Sequence, residues 1–479
     1  MKFAILTLLS VSIMGQLTAS PQAEYFRREV IPMPPNEVIE IGSIALLPDQ
    51  KIAVSSRRGE IWIVEGAYAD DLSKVKWKRF AYGLESSFGM HWKDGALHLT
   101  TRTDYSRIED RDGDGEADRF EVISQDWAFG GDYHQFAFGS DPDPNGDVWI
   151  TLCNLGGGGK WRSWAIKVQP DGTTVPVASG VRSPGGMGIN AAGEVFYTDN
   201  QGTWNGTSSV KHIKPGSFLG HYGRFEFYDL IRDQKAPRKP NSPSRWETER
   251  ARIPELYPSS ILLPHGKMGA SPTFVEFDST GGKFGPFEGN LFIGEQSHSQ
   301  VQRAYVEKVN GVYQGAAWHF MEGFESGLVP GKFANDGTLF VGGTNRGWGS
   351  RGTTVTTLER VRWTGKVPFE ATQMKALPGG FELTFTEPVD SSSAGNPASY
   401  EMKAWTYIYH EKYGSPEVDP SQPLVQKVRV SEDRLRVTLE IEGLVKGHLH
   451  QLDASGVKSQ SGNSLWHPVS YYTLNEIPE

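Results

Sequence analysis

Apolar positions in this chain recur as a short word: a turn pair, often ending in glycine, one variable residue, then three or so apolar or aromatic residues. The word reads Asp49-Gln50-Lys51-Ile52-Ala53-Val54 at its first appearance and Asp94-Gly95-Ala96-Leu97-His98-Leu99 at its second. It returns as Asn145-Gly146-Asp147-Val148-Trp149-Ile150 and as Ala192-Gly193-Glu194-Val195-Phe196-Tyr197. The last two are Glu288-Gly289-Asn290-Leu291-Phe292-Ile293 and Asp336-Gly337-Thr338-Leu339-Phe340-Val341. Turn pairs of this kind tolerate positive φ and suit tight hairpins, and the apolar run after each suits a buried strand. Successive words lie 45, 51, 47, 96 and 48 residues apart. A period near 45–50 predicts a β-propeller built from four-stranded blades.

The long gap leaves room for a seventh blade. Residues 232–264 are instead rich in proline and carry the charged run Arg245-Trp246-Glu247-Thr248-Glu249-Arg250, without strand alternation. The expectation is six blades, with an insertion of about 221–265 running over one face and holding a short helix. From Pro368 onward the pattern changes to alternating strands such as Gly380–Phe385 and Arg434–Ile441. Alternation buries one face and wets the other, so 368–479 is expected to form a β-sandwich. The chain is read as all-β: residues 24–367 a six-bladed β-propeller, 368–479 an Ig-like β-sandwich.

Composition agrees with a turn-rich β protein: 55 glycines and 29 prolines stand beside 14 tryptophans, 17 tyrosines and 24 phenylalanines in 479 residues. Net charge is −9, from 48 basic and 57 acidic residues. A uniform basic surface for nucleic acid or anionic lipid is therefore not expected. Cys153 is the only cysteine, which rules out an intrachain disulfide, covalent haem attachment and cysteine-based zinc sites. The first residues pair Lys2 with the apolar run Phe3–Met14, followed by Ala19, Ser20 and Ala23. That run is shorter than the roughly 20 residues of a membrane span and fits a secretory signal over 1–23. The expectation is a periplasmic or extracellular protein with no membrane span after cleavage.

The most specific motif starts at Asp110. On a twelve-residue calcium loop Asp110, Asp112 and Asp114 take positions 1, 3 and 5, and Gly115 takes 6. Glu116 offers its carbonyl at 7, Asp118 sits at 9 and Glu121 at 12. Calcium as a structural clip between strands is the expectation. His134, just before the third word, would start an inner strand at the mouth of the central channel and could act as a general base. A packed, hydrogen-bonded histidine is the other reading. Arg182 occupies the matching place before the fourth word, where a guanidinium can hold a carboxylate or developing oxyanion, or else join two blades as an ion pair. Trp161 and Trp164 are candidate sugar-stacking rings, or ordinary core aromatics. Asp199, Glu295 and Arg346 follow the fourth, fifth and sixth words, where blade loops converge.

These contexts resemble the glucose/sorbosone dehydrogenase family of exported six-bladed propellers, over roughly residues 40–365. The resemblance rests on His134 with Phe138-Gly139, on Val181-Arg182-Ser183-Pro184 with Met187, and on Ala270-Ser271-Pro272. It implies that His134 is the catalytic base and that Arg182 contacts pyrroloquinoline quinone (PQQ), with Ser183 and Asp199 as further cofactor contacts. Trp161, Trp164 and Arg346 remain the expected carbohydrate contacts. The chain departs from the family pattern at Ser183, at Ser297-His298 and at Glu325-Ser326-Gly327, leaving one arginine for the quinone. The implied activity is oxidation of a sugar or polyol, with a separate acceptor such as a cytochrome c taking the electrons. A non-catalytic propeller that binds glycan or protein is the alternative, and a sugar lyase or hydrolase is a weaker third.

Overall fold

A computed structural model describes residues 21–154, 158–232 and 234–479. The signal-like segment therefore lies outside the described residues apart from its last few positions. No helix among the described residues is long and apolar enough to cross a membrane.

Each repeated word forms the turn and second strand of a four-stranded antiparallel sheet. The first sheet runs Ile41–Leu47, Lys51–Ser56, Ile61–Glu65 and Lys76–Ala81; the second Ser87–Lys93, Ala96–Thr101, Tyr105–Glu109 and Arg119–Ser124. The third runs Ala137–Pro142, Val148–Leu152, Trp164–Val168 and Thr174–Ser179. The fourth is Pro184–Ile189, Val195–Asp199, Ser208–His212 and Ile261–Leu263; the fifth Pro272–Phe277, Leu291–Glu295, Gln300–Val309 and Val312–Glu322. The sixth takes Leu328–Phe333, Leu339–Thr344 and Thr356–Trp363, and its outer strand is the N-terminal Phe26–Ile31. First strands of successive sheets lie side by side, and the sixth returns to the first, so the six sheets close a ring. We number them blades 1–6.

Local chemistry explains the repeat. Gly95, Gly146, Gly193, Gly289 and Gly337 all carry positive φ, between 77° and 91°. The first word lacks the glycine, and Asp49 and Gln50 adopt φ of 59° and 54° in its place. The apolar residue after each turn (Ile52, Leu97, Val148, Val195, Leu291, Leu339) is buried against neighbouring blades. Near the axis the strands crowd: a Cβ on Gly89 would lie 2.7 Å from Cα of Gly139 in the next blade. The 96-residue gap holds no extra blade among the described residues. The excursion leaves after the third strand of blade 4, forms the short helix Trp246–Arg252, and returns to supply that blade's fourth strand.

The C-terminal segment forms two facing sheets. One orders Ala371–Leu377, Gly380–Phe385, Arg436–Glu442 and Leu424–Val430. The other orders Val469–Leu474, His448–Asp453, Glu401–Tyr407 and Glu417–Ser421. Met374, Phe381, Leu383 and Leu439 from the first meet Met402, Leu452 and Tyr472 from the second in one core. The segment is fused to the ring. Val469–Leu474 pairs with the outer strand of blade 5, Gly315 to Ala317 against Thr473 to Tyr471, giving one eight-stranded sheet. At this seam a Cβ on Gly315 would fall 1.9 Å from the Tyr305 carbonyl oxygen.

The N-terminal strand links both halves. Phe26, 1 % exposed, sits 5.0 Å from the Phe284 ring and 4.9 Å from Phe320, and stacks on Trp466 at 5.9 Å. Emptying such a site removes transfer energy and leaves a cavity. Phe26→Ala should lose about 3–5 kcal/mol of stability, read from chemical denaturation followed by tryptophan fluorescence.

Candidate functional site

At the ring mouth, where first strands begin and second strands end, lies a cavity of about 590 Å³. His134 and Arg182, from the loops entering blades 3 and 4, both line it, with Asp132, Asn200, Gln296 and Tyr413. Its floor is aromatic. Phe88 lies 4.9 Å from both Phe136 and Phe138, and with Val329 they form a separate apolar cluster. Phe88, Phe138 and Val329 also border a second space of about 280 Å³ further along the axis.

His134 is not a packed core residue: its side chain is 48 % exposed. The inner strand starts at Ala137, so His134 sits on the loop before it. Asp132 Oδ1 accepts the His134 backbone N–H at 2.8 Å and stands 3.7 Å from ring Nδ1. The carboxylate thus stands on the Nδ1 side of the ring. The loop is held from behind, because Arg102 Nη2 donates to the carbonyls of Asp132 and Tyr133 at 2.6 and 3.1 Å. Tyr133 is tied in turn to Arg57 Nη2 at 2.5 Å, and that guanidinium lies 4.0 Å from the Trp348 ring centroid.

Arg182 depends on a buried clasp. Asp199, fully buried at the end of the second strand of blade 4, accepts the backbone N–H of Ser183 at 2.7 Å and of Arg182 at 3.3 Å. Lys211 Nζ balances its charge at 2.8 Å, both side chains being at most 1 % exposed. Asp199 is therefore spent on positioning and does not line the cavity, which corrects its expected cofactor contact; Ser183 does line it. Blade 5 repeats the device, with buried Glu295 accepting from Ala270 and Ser271 N–H at 2.8 and 2.5 Å. In blade 6 Asn345 Oδ1 accepts from Gly327 N–H at 2.9 Å.

The Arg182 side chain lies between Gly202 and Tyr413. A Cβ on Gly202 would fall 1.9 Å from Cζ of Arg182, and Cζ is 5.2 Å from the Tyr413 ring centroid. Arg182 is 5 % exposed, Nη1 reaches the Asn200 carbonyl only at 3.4 Å, and buried Nε has no hydrogen-bond partner. No carboxylate pairs with its guanidinium among the described residues, so it is not a blade-to-blade ion pair.

Other expected residues lie elsewhere. Trp161 and Trp164 are 4 % and 1 % exposed and pack on each other and on Phe227 and Tyr228, so neither offers a face to a sugar. Arg346 is exposed, pairs with Glu40 at 3.2 Å and does not line the cavity. In the acidic loop Asp110, Asp112 and Asp118 place ligand oxygens within 4.8 Å of one another. Glu121 does not join them: it lies on the strand Arg119–Ser124 opposite Arg107, and Arg119 Nη2 donates to it at 2.9 Å. Asp114 Oδ1 accepts the Glu116 N–H at 2.8 Å, and neither side chain joins the group. Sequence reasoning missed Asp132, Lys211 and Tyr413. Only Asp132, two residues from His134, had a local signal.

No protein-family model and no curated protein matches the chain. Among solved structures, it is similar to a glucose dehydrogenase-type oxidoreductase from Thermus thermophilus, with 16 % identity over 70 % of this chain and 99 % of that one, TM-score 0.50. It is also similar to the PQQ-bound aldose sugar dehydrogenase of Streptomyces coelicolor, at 14 % identity, 71 % and 98 % coverage and TM-score 0.48. The holo PQQ domain of pyranose dehydrogenase from Coprinopsis cinerea follows at 12 % identity, 70 % and 95 % coverage and TM-score 0.48. The first of these likenesses shows a shared fold.

Two outcomes follow from the buried polar groups around the Arg182 loop. Lys211→Met strands a buried carboxylate and should cost about 3–5 kcal/mol, measured by urea denaturation. His221, buried behind the Arg182 loop, meets Asn154 Nδ2 through Nε2 at 2.7 Å and the Thr203 carbonyl through Nδ1 at 3.1 Å. Burial lowers its pKa from 6.5 to about 4. Below 6.5 the unfolded chain takes up a proton that the folded chain refuses until about 4, so stability should fall with pH across that window. His221→Asn should flatten that part of the fall in melting temperatures taken between neutral pH and acid.

Proposed function

We propose that the protein is an exported sugar or polyol dehydrogenase of the PQQ type. The observation that carries this reading is that His134 and Arg182, set on neighbouring blades, line one open cavity. The substrate hydroxyl gives its proton to Nε2 of His134 while the carbon bearing it loses hydride, leaving a carbonyl. Asp132 stands on the Nδ1 side of the ring, so Nε2 is the nitrogen assigned to accept the proton in this reading. PQQ, when bound, supplies the electrophilic carbonyl that accepts the hydride.

The residues present suit one end of such a quinone. Arg182 Nη1 makes only a long contact, 3.4 Å, with the Asn200 carbonyl and keeps donor capacity for a carboxylate or quinone oxygen, while its Nε is buried without a partner. Ser183, Asn200 and Gln296 add neutral polar contacts in the same wall. Electrons would leave to a separate cytochrome c. The three converging carboxylates of the 110–118 loop, which joins two strands of blade 2, are read as a calcium clip. The C-terminal sandwich is read as Ig-like.

With PQQ and calcium added, the protein should reduce an artificial electron dye when given aldoses or polyols. His134→Ala should lower kcat by roughly 10²–10⁴-fold, and Gly202→Val, which displaces Arg182, should weaken quinone binding. Failure to bind the quinone at micromolar concentration would overturn this reading. The single guanidinium of the cavity favours a second one, a non-catalytic glycan-binding propeller, which glycan-array binding without turnover would support. For the calcium clip, chelation should lower the melting temperature of the wild type and leave that of Asp112→Asn unchanged.

A further inference from the structure

We propose that the C-terminal sandwich completes the cavity with a stacking subsite for a pyranose ring, and that Tyr413 is its platform. This rests on the sugar-handling reading above. Tyr413 belongs to the 408–416 loop between two strands of the sandwich, yet it lines the ring-mouth cavity.

The loop is anchored on both sides of the tyrosine. Tyr409, fully buried, donates its hydroxyl to the Gly220 carbonyl at 2.6 Å and exchanges backbone hydrogen bonds with Ser244 at 3.0 and 2.8 Å. Its ring packs 5.1 Å from Trp204 and 4.7 Å from Trp246. Trp204 N–H donates to the His410 carbonyl at 2.8 Å, Gly414 N–H to Gly202 at 3.1 Å, and Ser415 N–H to Gly206 at 2.9 Å. The backbone on either side of Tyr413 is thereby stitched to blade 4.

On this fixed loop Tyr413 is 69 % exposed. The other large rings of the mouth are engaged: Trp348 lies under Arg57 and against Phe136, and Tyr133 bonds Arg57. The Arg182 guanidinium lies over one face of the Tyr413 ring, 5.2 Å from its centroid; no other aromatic ring packs on it among the described residues, and the opposite face is the one offered to a ligand. A rigidly held aromatic face beside a guanidinium and neutral amides suits a pyranose, whose C–H face packs on the ring while its hydroxyls meet the donors. The buried Trp161 and Trp164 cannot serve this purpose.

The test is titration of the full-length protein with methyl glucoside, methyl galactoside and methyl xyloside, followed by saturation-transfer NMR and calorimetry without quinone. A parallel titration with PQQ separates the two ring-shaped ligands. Tyr413→Ala should weaken binding of the preferred glycoside about tenfold, as loss of a stacked ring implies, and shift PQQ affinity less than about twofold. Tyr413→Phe should bind like the wild type. Undiminished glycoside binding by Tyr413→Ala overturns this inference alone, as does loss of PQQ affinity without loss of glycoside affinity. A wild type that binds none of the glycosides overturns it together with the reading it rests on.

Discussion

Everything at the ring mouth depends on closure of the ring by the strand Phe26–Ile31. Six sheets around an axis hold one another only sideways, so a break between any two lets all of them splay. Here the break is sealed by antiparallel pairing of Phe26–Ile31 with the strand ending at Trp363, six residue pairs in register. Arg360, fully buried in that strand, fastens the seam to blade 1 by donating to the Ala67 and Ala69 carbonyls at 2.8 and 2.7 Å. Glu29 on the closing strand meets Arg360 at 3.0 Å. Because His134, Arg182, Gln296 and Trp348 come from four different blades, their relative positions are set by that closure.

Within the closed ring, two classes of polar residue divide the labour. Asp199 and Glu295 stand at equivalent strand ends, opposite Pro184 and Pro272, and Asn345 lies just past the end of the corresponding strand of blade 6; each holds N–H groups of the loop entering its own blade. None of the three lines the cavity. The residues next to the first two, Asn200 and Gln296, face the open space. A buried carboxylate is costly unless paired and fully bonded, and Asp199 meets that demand with Lys211 and two backbone donors. In blades 4 and 5 the positioning group thus sits at the strand end and the residue after it faces the cavity.

Much of the fold was legible in the sequence. The six turn-and-strand words each mark a second strand, because positive-φ turns and buried apolar triplets leave a local signature. The excursion was recognised, yet its short closing strand, Ile261–Leu263, was not, since a strand so short has no alternation to detect. The site was legible where it is local: His134 and Arg182 stand in matching contexts before successive words. It was illegible where burial or long-range packing decides. Trp161 and Trp164 have the same composition as sugar-stacking rings, and only packing shows them inside. Glu121 fits a calcium spacing but obeys strand register with Arg107. Tyr413 reaches Arg182 from more than two hundred residues away, through a loop whose partners are invisible in a single sequence.

The sheet shared by blade 5 and the C-terminal sandwich bears on how such a chain can change over generations. A module joined by a linker can be exchanged as a cassette; one joined by strand pairing cannot. Replacement would bare the edge of Val312–Glu322, an unpaired strand that invites association with other chains, and would waste the close approach that Gly315 permits. The boundary near residue 368 is thus a seam in sequence pattern but not in hydrogen bonding. A change of length or register in either partner strand is felt by both blade 5 and the sandwich, and through the 408–416 loop by the cavity wall.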